Sequence, residues 1–157
     1  MTKKLMMAAI IAGVSAGIAN ANDEETFNAR ERVFSLFGSY VDKPGDYGGM
    51  GVGVTYYITQ RLGVGAVTHV EDIGGTIIDN VAGEGYFRFP LKNAPIAPYV
   101  TAAIGRSFDT HEMFYLAGGG AEWQWKPRLR AFGDLSWQIN DDSRDGFALR
   151  LGVRLGF

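Results

Sequence analysis

The sequence predicts an all-β fold, an eight-stranded antiparallel up-and-down transmembrane β-barrel. Three observations predict it. Period-2 alternation of apolar with small or polar residues recurs along the chain after residue 22, which puts the two sets on opposite faces of a strand. Turn-forming residues cut the chain into segments of about ten residues, long enough to cross a bilayer when tilted. Aromatic side chains collect near the segment ends, as in a barrel with a girdle at each membrane interface.

The strands are expected at 32–41, 48–58, 61–71, 76–89, 98–108, 112–125, 128–139 and 147–157. The first ends at Lys43-Pro44-Gly45. The second carries Gly49, Gly51 and Gly53 on one face and stops at Thr59-Gln60. The third repeats that pattern with Gly63 and Gly65 and ends at Asp72-Ile73-Gly74-Gly75. The fourth runs to the connection Pro90 to Pro98, and the fifth ends at Asp109-Thr110. The sixth carries Gly118 and Gly120 and ends at Lys126-Pro127-Arg128. The seventh ends in the stretch from Asn140 to Gly146. The eighth is the clearest. Phe147, Leu149, Leu151, Val153, Leu155 and Phe157 alternate with Ala148, Arg150, Gly152, Arg154 and Gly156.

The chain begins differently. Lys3 and Lys4 precede an apolar run from Leu5 to Ile18, and Ala19-Asn20-Ala21 follows it. That order is a secretory signal peptide, too short for a typical transmembrane helix. The expected organisation is a cleaved leader at 1–21, a short periplasmic segment at 22–31 and the barrel at 32–157. Cleavage removes two lysines, so the formal charge of −2 falls by two more. The chain has no cysteine, which excludes disulfides and thiolate metal sites. Two histidines and a pI near 5.6 argue against a metal cluster and against nucleic-acid binding.

A soluble lipocalin-like barrel alternates in the same way, so alternation alone does not say which face points out. Three features place the apolar face toward lipid. Glycines crowd the other face, where they make room inside a narrow barrel; on a wet exterior they would only weaken strands. Tyr56, Phe87, Phe89, Trp123, Trp125 and Phe157 gather near one rim, and Tyr40, Tyr47, Tyr115, Trp137 and Phe147 near the other. The chain also ends on Phe157, on the apolar face of its last strand.

The leader, the eight strands, the segment Pro98-Tyr99-Val100-Thr101-Ala102-Ala103-Ile104-Gly105 and the ending from Gly146 to Phe157 resemble the small eight-stranded outer-membrane β-barrel proteins of Gram-negative bacteria, the OmpA/OmpX-like superfamily. The resemblance covers essentially the whole chain after the leader. It implies an outer-membrane location among outer-membrane lipid and lipopolysaccharide. It also implies delivery by the barrel-assembly machinery, with Phe157 in the signal which that machinery reads. Two departures stand out: the connection Pro90 to Pro98 is long for a periplasmic turn, and the opposite loops are short. No peptidoglycan-binding domain follows Phe157.

With both termini periplasmic, the outer loops fall near 42–47, 71–76, 108–112 and 140–146. They carry Asp42, Asp46, Glu71, Asp72, Asp109, Glu112, Asp141, Asp142 and Asp145 against Lys43 and Arg144. Such acids keep loops solvated. Divalent-cation binding is the sharper reading, but no loop has the spacing of a calcium loop. Inside, the register brings Glu84, Arg88, Glu122, Arg130, Asp134, Arg150 and Arg154 into the lumen, with Arg61 at its mouth. Arg88, Arg130 and Arg154 are expected low; Glu84, Glu122, Asp134 and Arg150 are expected higher, with Arg150 paired to Asp134 or Glu122. Lone buried charges are costly, so these should pair and fill an eight-stranded interior.

A catalytic reading finds little. A lipid A deacylase pair of His-x-Ser type would fall on Gln138 and Asn140, and Gln cannot act as the base. His69 and His111 sit near outer loops with no serine placed to use them. The sequence therefore points to a monomeric structural outer-membrane barrel with a plugged, salt-bridged lumen, no cofactor and no enzyme activity. A narrow low-conductance channel and a surface-binding module acting through the acidic loops are the alternatives.

Overall fold

A computed structural model describes residues 27–42, 47–70, 78–92, 94–108, 111–141 and 145–157. Eight strands follow one another: β1 (Glu31–Asp42), β2 (Tyr47–Tyr57), β3 (Leu62–Val70), β4 (Asn80–Arg88), β5 (Ile96–Ser107), β6 (Met113–Lys126), β7 (Leu129–Asn140) and β8 (Gly146–Gly156). Each pairs antiparallel with its sequence neighbours, and β1 pairs with β8, so the sheet closes on itself. Closure joins the first strand to the last, so no strand of the described barrel is left as a sheet edge. The expected leader at 1–21, and residues 22–26 of the segment after it, lie outside the described residues.

Alternation sorts the side chains. On β1, Val33, Ser35, Phe37, Ser39 and Val41 are buried in the lumen, while Phe34, Leu36 and Tyr40 face outward. On β8, Leu149, Leu151, Val153 and Leu155 face outward, and Arg150 and Arg154 are buried. Glycines on the lumen face permit close approach. A Cβ on Gly51 would stand 2.8 Å from the Thr68 carbonyl and run into the Phe37 ring; one on Gly120 would stand 2.6 Å from the Asp134 Cβ.

Several boundaries differ from the sequence reading. β1 begins at Glu31, one residue inside the expected periplasmic segment. β4 begins at Asn80 rather than 76. Residues 76 and 77 lie outside the described set, and Asp79 bonds irregularly, donating to His69 O and accepting from Phe108 N. The stretch from Pro90 to Pro98 is not all turn. Phe89 N donates to Pro98 O and Leu91 N to Ile96 O, so the ladder runs on and β5 takes in Pro98. Phe87 is also buried rather than exposed at the rim, because Phe89 lies edge-on against it at 4.9 Å.

Candidate functional site

The lumen of the barrel holds its charged residues in two storeys. The upper one centres on Arg150, on β8 directly opposite Asp134 of β7 in the ladder. Arg150 Nε donates to Asp134 Oδ1 at 2.8 Å and Nη2 to Oδ2 at 3.2 Å, a bidentate pair. Its Nη1 also pairs with Glu84 across the lumen. Two tyrosines complete the storey: Tyr86 OH donates to Glu84, and Tyr99 OH to Asp134 at 2.7 Å.

The lower storey lies nearer the chain termini. Glu122 accepts from Arg88 Nη1 at 3.1 Å and from Arg154 Nη1 at 3.2 Å. Glu31 takes Arg130 Nη2 at 2.6 Å and faces Arg88 Nη2 at 3.7 Å. Arg88 donates further to the carbonyls of Gln60 and of Asn28. Arg130 Nε reaches Gln124 Oε1 at 3.2 Å.

Aromatic faces take up what the carboxylates leave. The Arg154 guanidinium lies 4.2 Å from the Phe132 centroid and 4.9 Å from those of Tyr86 and Tyr99. Its Nε and Nη2 find no hydrogen-bond partner among the described residues, and the rings lie against them instead. Arg88 lies 3.6 Å from the Tyr57 centroid. Phe27, just ahead of β1, is 1% exposed and lies beneath both Arg88 and Arg130.

Four arginines and four carboxylates, Glu31, Glu84, Glu122 and Asp134, thus neutralise one another in this core. The division between storeys is uneven: one arginine with two acids above, three with two below. Above them the lumen carries the polar side chains of His69, Gln138 and Asn140 beside apolar Val41, Phe114 and Leu116. His69 lies edge-on to Phe37 at 5.0 Å, and Gln138 Nε2 donates to Asn140 Oδ1 at 2.9 Å. A small cavity there is bounded by His69, Asn80, Ser136, Gln138 and Arg150 among others.

Solved structures of the same architecture are similar to this chain over most of its length. The N-terminal β-barrel domain of OprF from Pseudomonas aeruginosa matches with a TM-score of 0.64 at 14% identity, covering 82% of this chain and 98% of that one. The outer membrane protein OprG of the same organism matches with a TM-score of 0.61 at 9% identity, covering 86% and 99%. The chain has the fold of the eight-stranded outer-membrane barrels. A designed transmembrane β-barrel is as similar, with a TM-score of 0.64, 14% identity and coverage of 83% and 98%. No protein-family model and no curated protein sequence matches. Because a designed chain shares the fold, the fold assigns no role by itself; the residues must.

In this outer-membrane-type barrel, seven of the expected lumen charges meet as ion pairs: Glu84, Arg88, Glu122, Arg130, Asp134, Arg150 and Arg154. Glu122 does not reach Arg150, as one sequence reading had it. It stands one step lower, opposite Phe132 rather than beside Asp134, and Arg88 and Arg154 hold it there. Arg61 sits half-buried in the turn before β3, where its carbonyl accepts from Arg88 N at 2.8 Å. Phe157 is exposed at the rim by the termini, with its backbone bonded to Arg32 in both directions. Of the outer-loop acids, Asp46, Glu71, Asp72, Asp109 and Asp142 lie outside the described residues.

Sequence reasoning missed Glu31, Phe27, Tyr57, Tyr86, Tyr99 and Phe132 as partners in the lumen. Alternation held the signal for most of them. Tyr86 lies between Glu84 and Arg88 on one face, Phe132 between Arg130 and Asp134, and Glu31 two residues before Val33.

Proposed function

We propose that the protein is an outer-membrane barrel with a lumen closed by its own side chains, and that its role in the envelope is structural. One observation carries this reading: polarity is inverted. Arg88, Arg130, Arg154 and Glu122 are at most 1% exposed, while Leu151, Trp125 and Phe157 are at least 60% exposed. In water such a surface would aggregate; in a bilayer it is the order that lipid requires. On this reading residues 1–21 are removed on export, the termini face the periplasm and the barrel works as a monomer among lipid and lipopolysaccharide. Assembly machinery reads the end at Phe157.

The role is structural rather than catalytic, because Gln138 and Asn140 bond each other inside the lumen and form no nucleophile–base pair. We read it as closed rather than conducting, because two storeys of buried, paired charges with rings packed against them lie across the lumen. Cell fractionation followed by planar-bilayer recording of the refolded barrel tests both parts. The expected outcome is a heat-modifiable outer-membrane species with no steady current. A steady ohmic conductance would favour the narrow-channel alternative.

A further inference from the structure

We infer that the barrel end carrying the termini is a docking surface for anionic phospholipid headgroups, held by a ring of basic side chains just beyond an aromatic belt. The inference rests on the membrane-spanning reading above and adds a lipid charge preference to it.

Bases stand at every connection on this end. Arg30 and Arg32 flank the start of β1 at the seam, and Arg61 lies in the β2–β3 turn. Lys92 lies in the β4–β5 turn, and Lys126 and Arg128 lie at the β6–β7 turn. The ring therefore runs around the whole circumference. Arg30, Arg32, Lys92, Lys126 and Arg128 are exposed, and none makes a side-chain hydrogen bond or ion pair with a described residue. The nearby carboxylates, Glu31 and Glu122, are turned into the lumen and held by arginines. Asp23, Glu24 and Glu25 precede Phe27 and lie outside the described residues. Counting these three and the Phe157 carboxylate against the six bases still leaves a positive excess.

The depth of the ring fits headgroups. Arg32 stands opposite exposed Tyr56 on the outer face, and Lys126 follows Trp125. Trp123 and Trp125 stack at 6.5 Å, both more than half exposed, with Phe89 and Phe157 on the same end. Tryptophan and tyrosine settle at the headgroup level, so the bases beside them meet phosphates. At the opposite end the described flanks carry Asp42, Glu112, Asp141 and Asp145 around Arg106. The two ends thus differ in sign. Bases close to an anionic surface are attracted within a Debye length, each by roughly fivefold in lipid affinity.

Tryptophan quenching by brominated lipids tests this, because the chain has three tryptophans, two at the basic end and Trp137 at the other. A W137F barrel is refolded into phosphatidylcholine vesicles containing brominated phosphatidylglycerol or brominated phosphatidylcholine. Stronger quenching of Trp123 and Trp125 by the phosphatidylglycerol is expected. The preference should fall by roughly fivefold for each charge removed in R32Q, K92Q, K126Q and R128Q, and should fade in high salt. Salt titration of the W137F barrel serves even if a combined variant fails to fold. Equal quenching by the two lipids overturns the inference, as it would if the ring served an acidic protein or the cell-wall polymer instead. So does an equal preference at Trp137 in a W123F/W125F barrel. Absence of quenching by either lipid overturns the membrane-spanning reading itself.

Discussion

Arg154 shows how much of this core depends on one kind of side chain. Its guanidinium pairs with Glu122 through Nη1 alone and lies against three rings. A planar, weakly hydrated cation does both; an ammonium does not. Arg154→Lys, which keeps the charge, should cost about 2 kcal/mol in urea unfolding in micelles through lost ring contact. The pair Arg150–Asp134 is a separate case. Asp134→Asn and Arg150→Gln should each destabilise the barrel. The double mutant should lose less than their total, with a coupling of about 0.5–3 kcal/mol. Strict additivity would mean that the bidentate geometry contributes nothing. The facing of Arg150 was legible in the sequence, since six apolar residues at odd positions fix the lipid face of β8. The choice of Glu84 as second partner was not. That choice depends on heights across the lumen, which the stagger of the closed sheet sets.

Glycines make the next scale concrete, because the same residue does opposite things on the two faces of a strand. Gly120 of β6 is hemmed in by Asp134 and the Gly133 carbonyl, while Gly83 of β4 faces outward with nothing within 4 Å of a built Cβ. Gly120→Val should therefore destabilise by about 1–3 kcal/mol or block folding, as overpacking does. Gly83→Val should be neutral or slightly stabilising, since it removes a flexible residue from a strand. Thermal unfolding of both variants in the same micelle is the comparison. Deleting Phe157 removes two backbone bonds to Arg32 at the seam. Delivery to the outer membrane should fall by more than the stability of the refolded barrel. Unchanged arrival of the truncated chain would remove Phe157 from the assembly signal. The strands were legible because each repeats one period for about ten residues. Their ends were less so: Pro98 reads as a breaker, yet it joins β5 beside the β4–β5 turn.

For the molecule as a whole, the sheet closes between its first and last strands, with Arg32 and Phe157 bonded backbone to backbone across the join. The two ends of the fold are therefore neighbours, and the order in which the strands are synthesised is separable from the order in which they pair. A circular permutant makes that separation visible. A short linker from Phe157 to Phe27 with new ends opened between Asp141 and Asp145 would keep all eight ladders and every lumen pair, the Arg88 bond to the Asn28 carbonyl and the Phe27 ring included. Such a chain should refold in micelles to the same barrel. In cells it should stall before the outer membrane, because its last strand would no longer finish on Phe157. The seam would then be one of eight equivalent joins for the folded shape, and an address for the cell.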